Sequence, residues 1–405
     1  MNQNFNNFQQ NYVAKYRQNL IENIKILLYK TDFKIFDRLD FNNDKIYQEP
    51  LLYAFFNNKD NDNLSFELII FGYTNKNLRP LQLEIESDEF GRVYLPNLGW
   101  IITENPNKKF ILLSSKNNKL SLLHNGKKVS FNFEPIEIIA NTNIELLKFP
   151  IPLLRQFYYD VDNNLINVEI ASISLNQKEN LAKGWNLIKQ HIPEHFKLIE
   201  EVTSKCVIFN IDTYLRNSFA TLSAQGIGFF NAYQETYNEV FFVDDIAHQT
   251  GHLIFNTLIY EVDKFIAVDK NTILEIIQLG NNTKEGRSIH VLFHALYTYY
   301  TSLICLNACL HANAFENTKK HEALGRIKFY IGKCSSDLAT IERSNILKIN
   351  YEELFTEEGL TLYNFIKETF ILMRTKWWGV VRDFDMSNQP YNFTFSKFLE
   401  LNPLR

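Results

Sequence analysis

The sequence predicts an α+β protein, an N-terminal β-rich module followed by a mainly α-helical module. Two patterns carry that expectation. Between residues 50 and 175, short apolar or alternating runs are separated by polar clusters and by an Asn-Gly pair, as in a set of antiparallel strands. After Asn176 the apolar spacing becomes three to four residues, the period of a helix. With 45% hydrophobic and 22% charged residues over 405 positions, the chain has enough apolar material to build a sizeable core.

Residues 1–49 read as a helical segment, because Tyr12, Val13, Tyr16, Leu20, Ile24 and Leu27 recur at helical spacing between Phe8 and Leu28. In the β-rich module, 50–175, strands are expected at Phe66 to Tyr73, Leu81 to Ile85, Lys109 to Leu113, Val129 to Phe133, Glu137 to Ala140 and Asn167 to Ser174. Turns are expected at Lys116-Asn117-Asn118-Lys119 and at His124-Asn125-Gly126-Lys127, the second of type I′. The helical module, 176–405, begins with Gln177 to Gln190, which carries Leu181, Trp185, Leu187 and Ile188. Pro193 then opens a second helix toward Val202. Strands at Cys206 to Ile211 and around Gly226 to Phe230 interrupt the helices, and from Asp244 onward the chain reads as almost wholly helical. Gly325, Gly332, Ser336 and Ala339 form a small-residue stripe suited to close helix packing.

Composition excludes several function classes. A formal net charge of -4 gives no basic stripe for tracking phosphates, so a nucleic-acid partner is not expected. The four cysteines form no C-x-x-C pair and are too few for a disulfide scaffold of this size. The N-terminus lacks a basic region followed by an apolar run, so no secretory signal is expected. The most apolar stretch, Val291 to Leu310, is broken by His294, Thr298, Thr301, Ser302 and Asn307, so it does not read as a membrane span. These observations predict a cytoplasmic globular protein.

The histidines are the informative residues. Nine histidines placed at random give roughly 0.2 pairs at the i, i+4 spacing that puts two side chains on one helix face. Three such pairs occur: His191/His195, His248/His252 and His290/His294. Pro193 interrupts the first, which reads as helix punctuation with partly solvated rings. His248 and His252 lie one turn apart in an apolar segment, where both reach one metal ion at bond lengths of about 2.0–2.1 Å. Gly251 beside them leaves room for another element to approach. Asp244 is too far along the same face to join them, and Asp244 or Asp245 is expected as the N-cap. Near the third pair, Arg287 lies seven residues before His294, on the same face if the segment is helical. A cation there suits the far carboxylate of a bound diacid. Between His248 and His252, Gln249 stands where a zinc peptidase of H-E-x-x-H type has its glutamate base. An amide is no general base, whereas an oxygenase needs none, because iron, dioxygen and a keto-acid cosubstrate carry its chemistry.

From about Leu181 to Tyr300 the chain resembles the HExxH-type peptide-modification family, the α-ketoglutarate-dependent peptide β-hydroxylases of ribosomal peptide natural-product pathways. The residues that carry the resemblance are Leu181-Ala182-Lys183-Gly184-Trp185-Asn186-Leu187-Ile188 with Pro193, then Gly226-Ile227-Gly228, the H-x-x-x-H segment, and Arg287-Ser288 followed by Leu292-Phe293-His294-Ala295. Gln249, Ser288 and Ala295 depart from the family's Glu, Pro and Gly. The resemblance implies that His248, His252 and His294 hold Fe(II), that Arg287 belongs to the α-ketoglutarate pocket, and that the partner is a precursor peptide. Arg326 is a reserve for the pocket, and Glu261 or Glu275 is the alternative third ligand of a 2-His-1-carboxylate set. Two alternatives stand beside this: a zinc hydrolase with Asp245 or Glu261 as relocated base, and an inactive member that binds peptide without turnover.

Overall fold

The computed structural model describes residues 3–58, 65–80, 82–115, 119–234, 236–278 and 284–404. The chain is mixed α and β, with a strand-rich N-terminal half and a helical C-terminal half. Helix α1 (Gln3–Thr31) opens it, followed by the short helices α2 (Asp44–Tyr47), α3 (Pro50–Asn57) and α4 (Phe66–Ile70). Strands β1 (Gln82–Glu86), β2 (Arg92–Leu95), β3 (Gly99–Ile102), β4 (Lys109–Ser114), β5 (Leu120–His124), β6 (Lys127–Val129), β7 (Asn132–Pro135) and β8 (Glu145–Leu146) come next. Helices α5 (Ala171–His191) and α6 (Pro193–Val202) then precede strands β9 (Lys205–Phe209) and β10 (Ile227–Asn231). The remainder comprises α7 (Glu239–Leu258), β11 (Ile273–Gln278), β12 (Lys284–Ser288), α8 (Ile289–His311), α9 (Asn317–Glu342), α10 (Glu357–Val381) and α11 (Phe395–Leu401). Two compact units result: Lys15–Gln177 with Val202–Tyr233, and Met1–Ala14 with Lys178–Glu201 and Gln234–Arg405.

In the strand-rich unit, β1-β4-β5-β6 and β2-β3-β7 form two antiparallel sheets. Alternation explains their packing: Leu83, Ile85, Phe110 and Leu112 turn inward and share one core with Val93, Leu95 and Ile101 of the other sheet. Asn125 and Gly126 both adopt positive φ, at 50° and 75°, between paired His124 and Lys127, as a type I′ turn requires. Lys116, Asn117 and Asn118 of the other expected turn, and Leu81, lie outside the described residues. A third sheet, β8-β9-β10, is parallel, so the β-rich region is not wholly antiparallel as expected. Here Lys205 is buried between Glu145 (2.6 Å) and Glu49 (3.3 Å), with the Tyr94 hydroxyl 3.0 Å away. The ammonium ties β9 to β8 and to the residue that caps α3.

Several expected strands are something else. Phe66 to Tyr73 forms helix α4 and a turn, because a short apolar run satisfies either period and packing of Ile69, Ile70 and Phe71 decides. Asn167 to Ser174 is cut short because the Glu169 carboxylate accepts the Ser172 amide (2.9 Å) and starts α5. Val129 to Phe133 is split, since β6 and β7 join different sheets. Glu137 to Ala140 contributes one isolated bridge, Ile138 to Glu145.

In the helical unit, α8 packs against α7, α9 and α10. By length and composition α8 passes as a membrane-crossing helix, yet the protein's own elements bury most of it. The expected continuous helix after Asp244 is interrupted by the antiparallel pair β11–β12, where alternating burial about Leu274 reports the period of a strand. All four cysteines are buried and none is in a disulfide. The small-residue stripe does not pack as expected: Ser336 and Ala339 are exposed, and a Cβ added at Gly332 would meet nothing within 4 Å. Only Gly325 marks a close approach, against Phe393 and Phe398.

His195 on α6 is fully buried and not partly solvated, with neither ring nitrogen hydrogen-bonded. Burial pulls its pKa from 6.5 down to about 4. The unfolded chain therefore takes up a proton below about pH 6.5 that the folded state refuses until about pH 4, and stability falls as pH drops through that window, by about 3 kcal/mol. His195→Leu is expected to flatten this loss and raise the melting temperature at pH 5. Thermal unfolding followed from pH 7 to 4 checks it, and an unaltered slope would contradict the assignment.

Candidate metal centre

Helix α7 starts earlier than expected. Its N-cap is Asn238, whose side chain accepts the Val240 amide (2.8 Å), and neither Asp244 nor Asp245 caps it. Apolar Val240 to Val243 propagate the helix, so His248 and His252 lie well inside it, with ring centroids 5.0 Å apart. Helix α8 starts at Ile289, capped by Ser288, and carries His294 to the same place. His252 Nδ1 and His294 Nε2 are 2.8 Å apart and share a hydrogen bond, and the Phe255 ring stacks on His294 at 4.6 Å. Close approach of α7 and α8 makes this possible. A Cβ at Gly251 would sit 2.5 Å from Thr301 Oγ1. His290 lies one turn back, its ring 5.9 Å from His294 and nearer solvent.

The cluster is electrically neutral at neutral pH. Burial, reinforced by repulsion from His294 and Lys333, lowers the His248 pKa to about 3. Burial and neighbouring imidazoles hold His252 and His294 well below 6.5. Neutral imidazole is the form that ligates metals. Among the described residues no three His, Cys, Asp or Glu side chains already converge as tightly as an ion requires. Two nitrogens at about 2.0–2.1 Å from one tetrahedral ion stand roughly 3.3 Å apart. The His252–His294 hydrogen bond would have to open by about half an ångström. The donor set fits a divalent metal in chemistry: three uncharged nitrogens, and His248 Nδ1 buried without a hydrogen-bond partner.

The other expected site residues are occupied elsewhere. Arg287 is on strand β12, not on the helix of His294; it makes a two-pronged pair with Asp337 (2.8 and 2.7 Å) and a bond to Glu275 (3.0 Å). Arg326 is buried on α9 between Glu322 (2.7 Å) and Asp244 (2.8 Å), where it ties α9 to α7. Gln249 donates to Asp245 (3.0 Å), and Glu261 pairs with Lys264 beyond the end of α7. Sequence reasoning missed Tyr299 and Tyr330, whose rings lie 6.0 and 6.2 Å from His248, and Lys333 one turn beyond Tyr330. The spacing of Arg326, Tyr330 and Lys333 along α9 was the available signal, because it places them near one face. No family model matches the chain, and neither does any curated protein.

Two outcomes follow from this geometry. Gly251→Ala is expected to destabilise the protein by about 1–2 kcal/mol, overpacking against Thr301 outweighing the better helix propensity of Ala. Adding Thr301→Ala should recover most of the loss in denaturant titrations, and no recovery would mean that the strain lies elsewhere. Arg326→Met should cost roughly 3–5 kcal/mol by leaving Asp244 and Glu322 buried without their cation. A loss below 1 kcal/mol would show that the buried triad contributes little.

Proposed function

We propose that this protein is an Fe(II)- and α-ketoglutarate-dependent oxygenase that hydroxylates a side chain of a precursor peptide in ribosomal peptide natural-product maturation. The observation that carries the reading is the meeting of His252 and His294, from separate helices, beside His248. His248, His252 and His294 would hold the metal. Bound there, iron and the keto acid would activate dioxygen, the oxidant: one oxygen atom would go to succinate as α-ketoglutarate loses carbon dioxide, and the other would convert a C–H bond to C–OH.

The chain's own residues prepare the site. Phe255 stacks on His294, while Tyr299 and Tyr330 lie beside His248, whose Nδ1 is shielded from solvent. Gln249 leaves the centre without a proton acceptor at the position where hydrolysis would need one, and its amide is turned to Asp245. The four cysteines, none in a disulfide, and the absence of a basic stripe in the sequence fit a cytoplasmic enzyme acting on peptide and not on nucleic acid.

Anaerobic titration with Fe(II) should give one ion per chain, and His294→Ala should abolish that binding while the fold persists. Peptide-dependent succinate release under oxygen then tests the reaction. A protein that binds no divalent metal would end the oxygenase reading. Loaded with zinc, the unaltered protein should not cleave unstructured peptides; robust cleavage would favour a hydrolase with a relocated base.

A further inference from the structure

The second half of α10 has a surface unlike that of a solvated helix. Phe370 and Val381 are buried, and between them the helix turns most of its circumference to solvent. Four large apolar side chains stand out there: Ile371 (48% exposed), Leu372 (65%), Trp378 (40%) and Val380 (56%). Ile371, Thr375 and Trp378 follow one line along the helix, with Leu372 beside it. The Trp377 indole is held back against α8, where Asn307 accepts its N–H (3.2 Å) and the Lys376 ammonium (2.8 Å). The charges on this stretch share one sign. From Thr369 to Arg382 the chain carries Arg374, Lys376 and Arg382 and no Asp or Glu, in a protein whose formal net charge is -4. Lys328 of α9 adds a fourth cation, 4.3 Å from the centroid of the Trp378 ring, and the Arg374 guanidinium lies 5.4 Å from the same ring. Asp383, 3.5 Å from Arg382, offsets one of these charges.

We propose that this half of α10 docks on the surface of a bilayer that carries anionic lipids. The exposed stretch lies on the membrane and does not span it: from Ile371 to Val380 a helix covers about 15 Å, half of a hydrocarbon core of about 30 Å. Apolar side chains flanked by cations suit that boundary, because the first enter the acyl layer while the second meet negative headgroups. An indole with cations beside it belongs at the same depth. Charge decides against a second copy of the chain as the occupant. Antiparallel pairing of two such helices about Thr375 sets Arg374 against Lys376, and parallel pairing sets each cation against itself. An acidic peptide would satisfy the cations, but a convex helix face gives it no groove for apolar side chains of its own. A lipid layer deforms around side chains that protrude. The proposal is independent of the oxygenase reading.

The test is flotation of the full chain with vesicles of phosphatidylcholine alone or with about a third phosphatidylserine. The unaltered protein should float with the anionic vesicles and stay behind with the neutral ones, and added salt should release it. Trp100 and Trp185 are buried, so a blue shift of tryptophan emission on anionic vesicles reports Trp377 and Trp378. Leu372→Gln and Arg374→Glu should each weaken binding about tenfold or more, with melting temperature unchanged, and Arg374→Lys should retain it. No binding to anionic vesicles, equal binding to both kinds, or variants that float like the unaltered protein would each overturn the proposal. A dimer in sedimentation that Leu372→Gln dissociates would overturn it in favour of a second copy. Capture of a polyglutamate peptide without vesicle binding would overturn it in favour of an acidic protein partner.

Discussion

The helical unit depends on how closely α7 and α8 approach each other. Gly251 has no Cβ, and the space it leaves is filled by Thr298 and Thr301 of α8. At that separation His252 and His294 come within hydrogen-bonding distance, and Phe255 lies flat on the second ring. A larger residue at 251 would push the helices apart and part the two imidazoles. The site is therefore a property of a helix–helix contact, and its geometry is inherited from backbone proximity more than from any side chain's own preference.

Charge is arranged around this contact in a consistent way. The histidines are half-buried and uncharged, while full charges are kept in matched groups at one remove: Arg326 with Glu322 and Asp244, Arg287 with Asp337 and Glu275. Burying such groups has a desolvation cost that only good geometry offsets, and both arginines have it. Each group joins elements distant in sequence, α7 to α9 and β12 to α9, so the ion pairs set the position of α9 and hence of Tyr330 and Lys333. The strand-rich unit uses the same device, with Lys205 between Glu49 and Glu145 and Arg38 between Asp32 and Glu67.

Long periodic segments were readable from the sequence and short ones were not. Helices α1, α5 and α6 and the Asn125-Gly126 turn lie where spacing and turn chemistry put them, because a helical repeat over many residues or a pair of positive-φ residues has few alternative structures. Short runs such as Phe66 to Tyr73 fit two periods at once, and the neighbouring core chose between them. The β11–β12 pair was overlooked for a related reason: six residues of Ile, Leu, Glu and Gln carry too little pattern to oppose the helical context on either side.

The sequence by itself determined the mixed architecture, the helix that carries His248 and His252, and their placement on one face, since all three follow from local spacing along a chain. Tertiary structure alone decided the rest of the site. That His294 meets His252, and that Arg287 and Arg326 reach carboxylates of other elements, Asp337 and Asp244, depends on partners tens of residues away. The physical reason is that periodicity specifies which side of an element is buried, while the identity of what it is buried against is set by the packing of whole helices.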